Sequence, residues 1–193
     1  FRSRVFVINI AVRNLRNQSN KHNSMLIHAT RFTMVHQKFS VHVENYITKI
    51  RKDINAYGAL PDVINYSKCI KNIKETFDFR YIDLEFSWKV ILVSICSIIN
   101  TIVVREVHQS TSVPLEYRED RVTNAIVIGG TSLSRGYTLE GLSVTYFLRN
   151  TIFYDTLMQM GRWFGYRTGY EDLCRVYMTR SEEHTSEHQS PVR

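Results

Sequence analysis

Cysteine is scarce in this chain and never paired by spacing. Its three cysteines, Cys69, Cys96 and Cys174, form no CxxC and sit among apolar residues. That excludes a disulfide framework and points to reduced, buried thiols in a cytoplasmic protein. No HExxH is present and no His/Cys group has ligand spacing, so no metal site is expected. Long hydrophobic runs are missing too. Val90 to Val104 lacks charge but is only fifteen residues and includes Ser94, Ser97, Asn100 and Thr101. A membrane-spanning helix needs about twenty apolar residues. The Val5–Val12 run behind Arg2 and Arg4 mimics a secretion signal, yet it holds Asn9 and no small-residue cleavage site. No membrane partner follows. A GxxxxGK[ST] phosphate loop is absent, and no Asp or Glu is followed two positions later by Lys. The carboxylates near the motifs described below, Glu140 and Asp155, lack the paired spacing that a metal-dependent nuclease uses.

What is present is a core. Hydrophobic residues make up 44% of 193 residues, enough for one globular domain. The chain begins at Phe1 without a domain start and reads as a fragment of something longer. Residues 1–179 form the domain. Residues 180–193, RSEEHTSEHQSPVR, are polar, unlike what precedes them, and closely resemble a translated sequencing adapter. They are set aside as a disordered artefact, and His184 and His188 with them. Net charge is +7; Arg180 and Arg193 against Glu182, Glu183 and Glu187 leave the tail at −1 and the domain at +8. A basic domain is compatible with nucleic acid, an acidic membrane or nucleotide partners.

Periodicity places the elements. Val5 to Arg16 predicts a helix with basic residues on one side. Ser24 to Thr30 predicts a short strand. Phe32, Val35, Phe39, Val43, Ile47, Ile50 and Ile54 recur at threes and fours, one face of a long helix that Gly58 and Pro61 end. His36 and His42 on it read as surface residues. Asp62 to Phe86 reads as a helical insertion, Trp88 to Asn100 as a buried helix, and Ile102 to Val107 as a strand. Ala125–Ile128 and Ser143–Leu148 are apolar, β-branched runs typical of buried parallel strands. Strands alternating with helices predict an α/β fold with a parallel sheet.

Two clusters carry chemistry. The first follows Ile128: Gly129 to Gly141, with Thr131, Ser132, Ser134 and Arg135. Hydroxyls, loop amides and a guanidinium suit phosphate oxygens; a tight structural turn is the plainer account of a lone glycine pair, and the order of loop, strand and arginine motif raises the functional one. The second gathers Gln159, Arg162 and Arg167 around Gly161 and Gly165. Arginine offers phosphate a fixed fork of donors; pairing with Asp155, Glu171 or Asp172 is the plainer alternative. Trp163, Phe164 and Tyr166 read as core aromatics, with base stacking as the other option.

GGTSLSRGYTLEGL (Gly129–Leu142), YFLR (Tyr146–Arg149), YDTLMQMGRWFGYR (Tyr154–Arg167), GYEDLCR (Gly169–Arg175) and HNSMLIHATRF (His22–Phe32) together resemble the Z1 domain. That family is labelled an endonuclease domain and occurs in bacterial proteins with helicase-like ATPase regions. The later segments are also similar to the last two motifs of superfamily 2 helicases. The likeness runs from about His22 to Thr179 and is weakest between Tyr57 and Trp88. It implies a RecA-like C-terminal helicase lobe, a parallel sheet flanked by helices with a helical insertion. It implies ATP with Mg2+, shared with an N-terminal lobe of the same protein that this chain lacks. DNA is the implied partner, with other subunits of a restriction or defence system. It implies Gln159, Arg162 and Arg167 as catalytic residues. Gly130, Thr131, Ser134, Arg135, Gly136 and Thr138 are implied as nucleic-acid contacts, together with His28 and Arg31 after the first strand. One departure stands out. The helicase pattern is QxxGRxxR, whereas here one residue separates Gln159 from Gly161 and the second arginine follows five positions after the first. Which arginine is the finger stays open. The alternatives are an endonuclease domain proper and a non-catalytic interaction lobe with a motor fold.

Overall fold

The computed structural model describes residues 2–29, 33–107, 115–130, 138–148 and 168–178. Within them, five strands form one parallel sheet: β1 (Asn23–His28), β2 (Ile102–Val107), β3 (Asn124–Gly129), β4 (Leu142–Phe147) and β5 (Arg175–Met178), in the order β2-β3-β1-β4-β5. The central strands β1 and β3 are buried along their whole length. That is why NSMLIH and NAIVIG read as runs rather than alternations.

The two sheet faces separate by residue parity. Met25, Ile27, Ile102, Val104, Ile126, Ile128 and Val144 join the larger core with the helices. Leu26, Ala125, Val127, Val107 and Phe147 form a smaller core on the opposite face. Four helices contribute to the larger one: α1 (Arg2–Leu15), α2 (Thr33–Tyr57), α3 (Lys68–Arg80) and α4 (Trp88–Ile98).

α1 lies over the sheet with α3 and α4 against it, so Val5 through Arg13 are all buried. A helix apolar all round belongs in an interior. The predicted basic side is therefore corrected at Arg13, which is 3% exposed. Asn9, which argued against a secretion signal, is buried and satisfied. Its amide donates to the Leu173 carbonyl at 2.9 Å, and its carbonyl accepts from the Tyr81 hydroxyl at 2.6 Å.

α2 buries Val43, Ile47, Ile50 and Ile54 as the spacing predicts. His42 is exposed, but His36 is buried, contrary to the surface reading, because the first turns of α2 lie beside His28. The insertion is helical: a 3-10 turn at Val63–Asn65, then α3. Ser67 caps α3, accepting from the Ile70 amide at 3.2 Å and donating to Asp53 at 2.5 Å. α4 is one-sided rather than buried: Ile91 and Ile95 face in while Val93 is 67% exposed. No described helix is long and apolar enough to cross a membrane. Among the described residues the three cysteines form no disulfide; Cys69 is buried, but Cys96 and Cys174 are only half-buried.

Candidate nucleic-acid interface

In a parallel sheet every strand ends at the same edge. The register places His28 level with Gly129 on one side and Phe147 on the other. The Ala29 amide donates to the Gly129 carbonyl at 2.9 Å and the Leu148 amide to the His28 carbonyl at 3.0 Å. From β1 the chain turns into α2, which packs over β2 and β3; from β4 it proceeds to β5 on the opposite side. Connections leaving neighbouring strands in opposite directions open a crevice between β1 and β4, the usual place for ligands in such sheets.

His28 stands at that crevice. It is 7% exposed, its ring lies 5.4 Å from that of Phe147, and its Nε2 is buried without a hydrogen-bond partner. Ser143 Oγ and Thr145 Oγ1 of β4 are likewise buried and unpartnered. By register and parity they share the sheet face of His28. An unmet polar atom at depth costs free energy, and three such atoms lie along this one face.

Burial, and next the nearby His36, lower the His28 imidazole to about 4. It is neutral at physiological pH. Unfolded, it titrates near 6.5. The unfolded chain therefore takes up the proton first, so stability is full above pH 6.5 and falls as pH drops from 6.5 towards 4. The total loss is about 3 kcal/mol at most. Urea midpoints between pH 7 and 5 should decline more steeply for the wild type than for His28→Gln. Parallel declines would mean that His28 ionises freely.

The other predicted contacts separate. Gly130 follows β3 at the same edge and is buried. Thr138 is exposed and precedes Leu139–Gly141, which reach the opposite edge. There Ser24 donates from its amide to the Gly141 carbonyl at 3.0 Å and from its hydroxyl to the Glu140 carbonyl at 2.7 Å. The stretch from Gly129 to Gly141 thus leaves one sheet edge and ends at the other. Gly141 has a structural task. Its φ is +62°, and a Cβ there would lie 1.8 Å from the His22 carbonyl oxygen. Arg31, Thr131, Ser134, Arg135, Gly136, Gln159, Arg162 and Arg167 lie outside the described residues, as do Trp163, Phe164 and Tyr166.

The carboxylates offered as local partners for Arg162 and Arg167 are partly accounted for. Asp172 accepts from Arg16 through both oxygens, at 2.7 and 2.8 Å, and Arg16 also holds Glu85 at 2.6 Å. The Arg16 guanidinium keeps both carboxyls below their usual range. Glu171 accepts from the Gly169 amide at 3.0 Å. Asp155 is outside the described residues. Among the described residues no three His, Cys, Asp or Glu converge as a metal site would require.

Two arrangements escaped the sequence reading. At the amino edge, Arg13 donates to Gln18 at 2.8 Å, to the His22 carbonyl at 2.8 Å and to Asn23 at 2.5 Å, with Tyr170 4.0 Å beneath its guanidinium. Asn23 continues to Asn124 at 2.7 Å and Asn124 to Thr101 at 2.7 Å. An asparagine opening each of two strands was the available signal. On the helix-covered face, a cavity of about 300 Å³ lies over β1 and β4, between α1 and α2. Its residues are scattered through the sequence, and no motif joins them.

Among curated proteins and among solved structures nothing matches. A family model does: the Z1 domain, over residues 3–189, which runs past Thr179 into the segment set aside as tail. Covering nearly the whole chain, that match makes the protein a member of the Z1 domain family.

Proposed function

We propose that this Z1 domain is the C-terminal, RecA-like lobe of a helicase-like ATPase acting on DNA in a bacterial restriction or defence system. It works in the cytoplasm beside a lobe that carries the P-loop, and with further subunits of that system. The observation that carries this reading is the meeting of three strand ends. β1, β3 and β4 release the chain side by side at His28, Gly130 and Leu148. The motif residues follow in those connections: Arg31 after β1; Thr131, Ser134, Arg135 and Gly136 after β3; Gln159, Arg162 and Arg167 after β4. Such an edge suits phosphate-bearing ligands. In this reading the glycine-rich connection and Arg135 hold the DNA backbone. Arg162 or Arg167 reaches the γ-phosphate of ATP bound with Mg2+ on the other lobe, where an arginine stabilises charge that builds in the transition state. The engagement of Asp172 by Arg16 supports the reading, since it leaves one carboxylate fewer to neutralise those arginines locally.

Binding to DNA should be weak, largely independent of sequence and strongly salt-sensitive. Arg135→Ala should weaken it alike on all sequences and reduce the salt slope by about one unit, as for one lost phosphate contact. Fluorescence anisotropy over a salt series measures this. An unaltered slope removes Arg135 from the interface.

A further inference from the structure

The cavity of about 300 Å³ sits where α1 and α2 part over the β1–β4 seam, on the helix-covered face of the crevice described above. Met25 and Ile27 of β1 form its floor, and Phe39 and Tyr46 of α2 line one side. Tyr146 of β4 and Arg2 of α1 line the other. Such a volume holds a small organic group.

Its chemistry is uneven. The floor is apolar. The polar groups around it are the Arg2 guanidinium and the Tyr46 hydroxyl, with the Ser3 hydroxyl and the His42 imidazole beside them. Arg2 has no hydrogen bond and no ion pair among the described residues; its guanidinium carbon instead lies 3.9 Å from the centre of the Tyr146 ring and 5.3 Å from that of Tyr177. Its Nε is buried without a partner. Tyr46 accepts from Arg4 Nε at 2.7 Å, which leaves its own proton to donate. A guanidinium held by two rings rather than a carboxylate keeps its donors for an incoming acceptor. A bare phosphate would meet apolar atoms at the floor. A plain hydrocarbon would leave Arg2 unmet. A flat ring with carbonyl acceptors on its edge satisfies both, stacking among Phe39, Tyr46 and Tyr146.

We propose that this cavity is a nucleobase site, taking a base that presents carbonyl acceptors, such as thymine. The base comes either from an unpaired DNA strand crossing the carboxyl edge or from a free nucleotide. The first source rests on the DNA reading above; the second does not. An unpaired base in the cavity would hold a strand whose backbone the neighbouring connections grip, so the protein would favour single-stranded DNA with bases over the bare backbone.

The test compares the 193-residue protein on a labelled oligothymidine and on an abasic strand of the same length and charge. The base-bearing strand is expected to bind about tenfold tighter, since stacking on aromatic side chains is worth that much or more. Ser3→Leu, which fills the cavity from α1 without altering charge, should erase the difference and leave abasic binding as it was. Phe39→Leu, which removes a stacking ring without altering charge, serves as the second variant if Ser3→Leu lowers the melting temperature. Equal binding of both strands by the wild type overturns the nucleobase site while sparing the DNA reading. If neither strand binds, the DNA reading fails, and titration with thymidine monophosphate decides the cavity. Binding that Ser3→Leu abolishes keeps the site with a free nucleotide as its source; no binding overturns it.

Discussion

Alanine in place of Arg162 or Arg167 is expected to cut ATP turnover about a thousandfold in the intact protein, the loss seen when an arginine finger is withdrawn. The argument concerns when the charge appears. A finger meets charge that develops on the transferring phosphoryl group, so its contribution falls on kcat more than on nucleotide affinity. Lysine should rescue poorly because it lacks the planar fork. The altered spacing between Gln159 and the two arginines means that one substitution should dominate, and the larger drop names the finger. The 193-residue chain alone should neither hydrolyse ATP nor hold it tightly, since it has no P-loop. Steady-state ATPase assays, with melts to exclude unfolding, decide the matter. Near-normal kcat in both variants would make these arginines structural and remove the motor reading.

Arg13→Ala is expected to lower stability by about 2–4 kcal/mol, the cost of stranding buried neutral acceptors. The guanidinium is almost fully buried at the amino edge and serves Gln18, the His22 carbonyl and Asn23 at once. Its removal strands the His22 carbonyl and the Asn23 side chain in the interior and opens a hole above Tyr170. A domain of this size has about 5–15 kcal/mol in total. Arg13→Lys should recover little, because one ammonium cannot face three acceptors lying in different directions. Urea unfolding measures the effect. A loss below about 1 kcal/mol would show that water or neighbouring donors replace the guanidinium.

Arg13 also shows where the sequence was opaque. Read along the chain, it is one more cation at the end of an apolar helix and belongs on an exposed side. Only the packing of α3 and α4 over α1 brings every face of that helix inside. α2, by contrast, was legible to within a residue or two, because its buried side recurs at threes and fours where it packs on β2 and β3. The strands β1 to β4 were legible as apolar runs between polar stretches. β5 was not: it has four residues, lies at the sheet border, and leaves Val176 and Met178 half exposed, so neither a run nor a clean alternation marks it. At the site, His28 was placed at the strand end where it lies. Its burial beside His36 came from the start of α2, which spacing alone puts at the surface. Gly129 and Gly141 look like two ends of one loop in the sequence and stand at opposite edges of the sheet, because β3 and β4 run parallel with β1 between them.

The bond from Asn9 to the Leu173 carbonyl joins positions 164 residues apart. On a ribosome the first helix emerges long before its last partner. At about 5–20 residues per second the wait is roughly ten to thirty seconds. Throughout it, Val5 to Val12 lacks the Glu171–Leu173 turn that accepts from Asn9. A nascent chain paused before position 173 should therefore present a greasy segment to chaperones and proteases. Synthesis, rather than the finished molecule, is when this protein is most exposed to loss.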